Sequence, residues 1–338
     1  MSRVLHVRQA GPGVTVQDLG RPGYLAAGLS RGGAVDRLAL HEGAALLGQD
    51  PGCASLEMAA TGGRFEAGAP LRVALTGARM RARIDGAAVS WNASHRLEAG
   101  AVLEIGPAEA GLHGYLHVGG GIATAAVLGA RAAHLAAGIG RVLAAGDTLP
   151  VGEDPGGETG LALTPEDRLS GGEIRVLKGH QTGMFSDDEV ARFFASQLTR
   201  DARGNRMGVR LAPEGAGFAT AAGLSVLSEA IVPGDIQITG DGTPFVLLAE
   251  CQTTGGYPRI GAVLPCDLPR VAQAAPGTVL RPRLIEPDAA LAAERRAAEA
   301  HADLHRGLSR LVRDPGDLRD LLDHQLISGV TAGSMEEP

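Results

Sequence analysis

From residue 1 to about residue 285 the chain alternates short apolar segments with Gly, Pro, Asp and Asn. Leu71-Arg-Val-Ala-Leu75, Val102-Leu-Glu-Ile105, Tyr115-Leu-His-Val118, Ile174-Arg-Val-Leu177 and Pro244-Phe-Val-Leu-Leu-Ala249 carry apolar side chains at strand spacings, several with period two. The pattern predicts a mainly β protein with mostly antiparallel strands. Two segments have a helical period instead: 36–47, with Asp36 as N-cap and Gly48 as stop, and 186–194, opened by the capping-box-like Ser186-Asp-Asp-Glu189. Residues 156–172 are rich in Gly, Pro and acids, lack a sustained apolar period, and read as a linker between β-rich units at 1–155 and 173–285. After Pro287 the composition turns to Ala, Glu and Arg. Leu304, Leu308 and Leu311, at i, i+4, i+7, predict a surface helix ended by Pro315-Gly316, within a helical tail at 286–338.

Composition narrows the function. The 338 residues include 50 Gly and 19 Pro, which suits many turns and short elements. The longest run without an acidic or basic residue, histidine included, is 215–228, far short of the roughly 20 apolar residues of a membrane span. Arg3, His6 and Arg8 interrupt the apolar positions at the start, where no signal peptide is expected, so the protein is assigned to the cytoplasm. A net charge of −7 and 3% aromatic residues remove the basic footprint and stacking platforms of nucleic-acid binders. Cys53, Cys251 and Cys266 form no CxxC pair and read as reduced thiols. Of the 31 basic residues only Lys178 is a lysine, in Val-Leu-Lys178-Gly179-His180, so the chain has no P-loop and no biotin-attachment lysine.

Several clusters are candidates for chemistry. Thr15-Val-Gln17-Asp18-Leu-Gly20-Arg21, followed by Gly32 to Asp36, places amide, carboxylate and guanidinium groups in a Gly-rich loop suited to an anion; a turn in which Asp18 caps backbone donors and pairs with Arg21 has the same spacing. His113 and His117 share one face of a strand, and His301 and His305 one face of a helix, but neither pair has an evident third ligand, and no metal site is assigned. Gly119-Gly-Gly121-Ile-Ala-Thr124 lacks the last glycine of a dinucleotide fingerprint. Cys251-Gln252-Thr253-Thr254-Gly255-Gly256-Tyr257-Pro258-Arg259 sets an amide, two hydroxyls and flexible glycine N–H groups beside a cation, a set suited to an oxyanion or phosphate oxygen, and equally to a β-turn with a cis Tyr257-Pro258 bond.

Read together, Thr15-Val-Gln-Asp-Leu-Gly-Arg21 with Gly32 to Asp36, Val118-Gly-Gly-Gly-Ile122 with Val127-Leu-Gly-Ala-Arg131, Asn205-Arg-Met-Gly208, Leu227-Ser-Glu229, Val232-Pro-Gly-Asp-Ile-Gln237 and Gln252-Thr-Thr-Gly-Gly-Tyr-Pro258 resemble a known family. They are similar, over about residues 3–285, to the C subunits of bacterial 5-oxoprolinase, in the KipA-like, allophanate-hydrolase-subunit-2-like group also called biotin-dependent carboxyltransferase-like. The resemblance implies two cyclophilin-like β-barrel domains, two partners (a KipI-like B subunit, with a LamB/YcsF-like A subunit), and ATP-dependent opening of 5-oxo-L-proline to L-glutamate, with magnesium-bound ATP held together with the partner subunits. The same group contains carboxyltransferase components that act on urea or a small amide with carboxybiotin from another chain, and KipA-type antagonists of a kinase inhibitor. Gln17, Arg21, Asn205, Arg206, Gly255, Gly256, Tyr257 and Arg259 are the candidate substrate or anion contacts; Gln252, Thr253 and Thr254 orient the substrate; Asp18, Asp36 and Glu57 are candidates for moving a proton or holding a metal. Val35, His180, Ala230 and Glu250-Cys251 depart from the family pattern, the last replacing a cation before Gln252 by an acid and a thiol.

Overall fold

The computed structural model describes residues 3–220 and 226–312. The strands form two sheet systems in succession, in a mainly β chain as the apolar pattern predicts. The first is an eleven-stranded antiparallel sheet built on two long neighbours, Leu71–Ile84 and Val102–Val118. Strand 71–84 shows why its composition changes midway. Its second half alternates exposed Arg79, Arg81 and Arg83 with buried Met80 and Ala82, the period of a sheet with one wet face. Its first half is buried on both faces, because α1 (Arg37–Leu47) lies across it and packs Leu46 and Leu47 on Ala74. Helix α1 is bounded as expected: the Asp36 carboxylate accepts from Ala39 N at 3.2 Å, and Gly48 ends it at φ 61°. The segments 102–105 and 115–118, which read as separate strands, are the two ends of one strand.

The second unit is a closed barrel of seven strands in the order 172–177, 259–263, 235–238, 244–247, 208–213, 198–205, 279–284, with strand 279–284 parallel to 172–177. Its core is formed by Ile174, Phe193, Phe218, Ile236, Val246 and Ile260, among others. The helix α2 (Asp187–Ala195) covers one side, its N-cap Ser186 accepting from Glu189 N at 3.3 Å. Val35 of the first unit joins this core. A fully buried valine is worth about 1.5–3 kcal/mol, so this side chain fastens the two units together.

The stretch 156–172 does more than link. Leu161–Ala162 adds a strand to the first sheet by pairing with Ala93, and Arg168 is buried between the units. The short helix α3 (Leu268–Gln273) sends Gln273 into the same junction. In the tail, α4 (Pro287–Asp303) begins at the expected proline but ends before the three leucines. Leu304 opens a single 3-10 turn, Leu304–Gly307, and Leu308 lies beyond it; both pack on the cluster around Leu46, and Ser309–Arg310 returns as an edge strand on Leu161–Ala162. The spacing of Leu304 and Leu308 thus reports packing against the first unit and not a continuing helix; Pro315-Gly316 lies outside the described residues.

Candidate functional site

The first motif folds into a loop closed by two glycines. Gly20 (φ 77°) and Gly33 (φ 84°) lie back to back: a Cβ at Gly33 would meet the Asp18 carbonyl at 2.7 Å, and one at Gly20 the Arg31 carbonyl at 2.6 Å. Asp18 caps backbone donors, accepting from Gly20 N at 2.8 Å and Arg131 N at 2.6 Å. It does not pair with Arg21. The Arg21 guanidinium donates to the carbonyls of Ala132 and Val127, and its Nη1 has no partner among the described residues. Gln17 donates to Thr15 Oγ1 and the Ala133 carbonyl while its buried Oε1 has no partner among the described residues.

At the junction of the units, Arg206 sits in the turn between strands 198–205 and 208–213, a turn closed by Asn205 Oδ1 accepting from Met207 N at 2.8 Å. Its guanidinium donates to Glu57, to Glu250 at 2.6 Å and to the Gly33 carbonyl at 2.6 Å. Glu57 also accepts Val35 N at 3.0 Å and the Tyr115 hydroxyl at 2.6 Å, and that hydroxyl accepts Asp36 N at 3.0 Å. Burial pushes the Glu57 carboxyl pKa up, but the Arg206 charge and these donors outweigh it, so the pKa lies below its ordinary value. Burial, then the Glu57 charge, pushes the Tyr115 hydroxyl well above its ordinary range, keeping it a donor. His113 lies 3.7 Å from Glu57 and is held neutral by burial. Glu250 faces His134, whose Nε2 meets Ser30 Oγ at 2.9 Å.

A second set of charges surrounds Asp36. Arg168 donates to Asp36 at 2.7 Å and clamps Glu42 with two bonds of 2.8 and 2.7 Å, while Gln273 bridges Asp36 and the His113 carbonyl. Asp36 is therefore committed as cap and ion-pair partner. Neither Arg168 nor Gln273 carried a sequence signal, one lying in a loop-rich stretch and the other on a short helix.

The loop from Gln252 to Arg259 lies at the barrel rim with a trans Tyr257-Pro258 bond. Thr254 and Gly255 pair with Ala230 and Glu229. Arg259 donates to Glu229 at 2.6 Å and Asp235 at 3.1 Å, and Gln181 and His180 both reach Glu229 at 2.8 Å. The His180 hydrogen bond, the first of several contributions, lowers the Glu229 pKa. Gln252, Thr254 and Tyr257 are exposed, and no described residue takes the side chains of Gln252 or Thr254. Cys251 is buried and its thiol is pushed up to about 12, which removes it as a nucleophile. The structure thus gathers Arg206 with Glu57 and Asp36 at the junction and Gln252 to Arg259 at the rim, joined by the backbone through Glu250, while Gln17, Asp18 and Arg21 bond within and beside the first motif's loop. Glu229, His180 and Gln181 join the second group; Leu227-Ser-Glu229 was the available signal for the first of them.

This architecture is a carboxyltransferase-type fold: the crystal structure of Kluyveromyces lactis urea carboxylase superposes with a TM-score of 0.81 over 93% of this chain and 31% of that one, at 21% identity. The sequence matches the family Carboxyltransferase domain, subdomain A and B, over residues 27–283, and the chain belongs to that family. It is 34% identical over 274 residues to the C subunit of 5-oxoprolinase from Escherichia coli strain K12, covering 80% of this chain and 87% of that one. It is 32% identical over 273 residues to the C subunit of 5-oxoprolinase from Haemophilus influenzae, covering 79% and 86%. No helix among the described residues is long and apolar enough to cross a membrane.

Proposed function

We propose that the chain is the C subunit of an ATP-dependent 5-oxoprolinase, working with KipI-like B and LamB/YcsF-like A subunits to open 5-oxo-L-proline to L-glutamate. The observation that carries this reading is the 34% identity to the C subunit of a 5-oxoprolinase, along 87% of that relative's length. The rim loop supports it. Hydrolysis of a five-membered lactam is uphill enough to need coupling to phosphoryl transfer, which makes the amide oxygen a leaving group. Gln252 and Thr254, exposed and uncommitted, orient the amide, with Thr253 between them and Gly255 and Gly256 allowing close backbone approach. The pair His180 and Glu229 sits beside them as a proton acceptor, and Arg259 holds Glu229 in place. Magnesium-bound ATP is assigned to the assembled complex, and biotin is not attached to this chain.

Glutamate release from 5-oxo-L-proline by this chain mixed with its neighbouring subunits and ATP tests the reading; release undiminished when this chain is omitted refutes it. The family's carboxyltransferase name favours a second reading, carboxyl transfer from carboxybiotin of another chain to a small amide. That reading requires bicarbonate-dependent turnover, abolished by avidin.

A further inference from the structure

The three arginines nominated as anion contacts already have partners. Arg206 divides its donors between two carboxylates and a carbonyl, Arg259 is neutralised by Glu229 and Asp235, and Arg21 is turned onto backbone carbonyls. Two other arginines, Arg31 and Arg37, face one cavity together. Arg31 donates from Nε to the Leu19 carbonyl at 2.9 Å and, among the described residues, has no carboxylate partner. Arg37, the first residue of α1, has a buried Nε without a hydrogen-bond partner among the described residues. Both line a cavity of about 220 Å³ between the units, walled by Val35, Pro233, Leu248 and Leu268 among others.

Burial, and then the neighbouring Arg31 charge, pull the Arg37 pKa down to about 10, so each guanidinium makes the other costlier. An anion placed between them offsets both the desolvation and the repulsion. The cavity is below the roughly 300–1,000 Å³ of pockets for drug-sized ligands, which suits a small ligand, and its Pro, Leu and Val walls suit a compact apolar body.

We propose that this cleft binds a small monocarboxylate with a compact, largely apolar body, Arg37 and Arg31 holding the carboxylate while Val35, Pro233, Leu248 and Leu268 enclose the rest. The inference goes beyond the functional reading: the lining contains no rim-loop residue, and 5-oxo-L-proline serves here as one small carboxylate probe of a place apart from that loop.

Calorimetric titration of the full chain with three probes tests it: 5-oxo-L-proline, cyclopentanecarboxylate, which keeps ring size and carboxylate without the lactam, and 2-pyrrolidinone, which keeps the lactam without the carboxylate. The two carboxylates bind saturably and 2-pyrrolidinone at least about tenfold more weakly. Arg37→Gln loses at least about tenfold for both carboxylates, the scale of one charge-assisted hydrogen bond, and Arg37→Lys falls in between. Cyclopentanecarboxylate binding that depends on Arg37, in a chain whose assembled complex releases no glutamate, keeps the cleft and removes the lactamase reading. No binding of any probe, equal binding of 5-oxo-L-proline and 2-pyrrolidinone, or unchanged carboxylate affinity in folded Arg37→Gln and Arg31→Gln proteins overturns the proposal.

Discussion

Arg206 of the barrel and Glu57 of the first sheet, 149 residues apart in the chain, form an ion pair almost closed to solvent that ties the two β units to one another. The same guanidinium reaches Glu250, so one cation neutralises two buried acids. Removing it leaves both carboxylates desolvated and unpaired. Arg206→Met is expected to cost about 3–5 kcal/mol in urea unfolding, the scale for breaking a buried pair from one side. The pH dependence has a definite sign. In the wild type the Glu57 pKa is below its ordinary 4.5, so its stabilisation is complete above pH 4.5 and is lost as pH falls through the lowered value. In the variant the Arg206 charge no longer opposes burial, the folded pKa rises from its wild-type position, and the penalty shrinks on acidification. A cost below about 1 kcal/mol, or one that grows in acid, contradicts this account.

How much of this was legible in the sequence follows from the range of each interaction. The ends of α1 were legible because Asp36 and Gly48 act on their own backbone within a few residues. The 17-residue strand Val102–Val118 was not, because Gly106-Pro107 reads as a break; in the sheet Pro107 sits opposite Thr61, and irregular register near Arg79 and Met80 absorbs the disturbance. The rim motif was legible as a cluster but not its partners, since His180 and Gln181 lie some 70 residues before Gln252. Arg31 and Arg37 carried no signal at all. What sets them apart is that both face one cavity between the units, which only the tertiary fold displays.

Gly43 in the middle of α1 gives a test whose sign depends on packing. In an exposed helix Gly→Ala stabilises by about 1 kcal/mol. Here a Cβ would sit 2.3 Å from the His117 ring, which is fully buried beneath α1. Gly43→Ala is therefore expected to destabilise by about 1–3 kcal/mol, as overpacking does. Thermal unfolding decides it: a raised melting temperature means that the helix and strand separate more easily than their contact implies.

His117 itself makes stability depend on pH. Thr76 Oγ1 donates to the Ala39 carbonyl at 3.0 Å, so its hydroxyl accepts from His117 Nε2 at 2.8 Å. Burial lowers the histidine pKa from 6.5 to about 3, and the ring stays neutral in the fold. The unfolded chain binds the proton more tightly. Stability is complete above pH 6.5 and is lost as pH falls toward about 3, by about 3 kcal/mol at pH 4.5 for a gap of two units. His113 and His134, also lowered by burial, act in the same direction. His117→Gln keeps an amide donor for Thr76 but cannot titrate, so its stability should fall about 3 kcal/mol less than the wild type's between pH 7.5 and 4.5. Equal pH slopes for the two proteins would place the titration elsewhere.

At the rim, Gln252 separates rate from stability. Its side chain is exposed and no described residue hydrogen-bonds to it, so its removal exposes no buried donor and opens no cavity. A surface change of that kind alters stability by about 0.5 kcal/mol or less. If the amide orients the lactam and stabilises charge developing on its oxygen, losing it costs about 3–4 kcal/mol in the transition state, a hundredfold or more in rate. Gln252→Ala in the assembled complex should therefore show that loss in kcat with its melting temperature nearly unchanged. Arg259→Lys provides the contrast. It breaks the forked contact to Glu229 and Asp235, so it should lower both turnover and the melting temperature, because those two carboxylates lose a shared partner. Turnover of Gln252→Ala within about twofold of the wild type in a correctly assembled complex would take the amide out of the site. The rim loop would then be a structural turn, its exposed polar groups serving solvent alone.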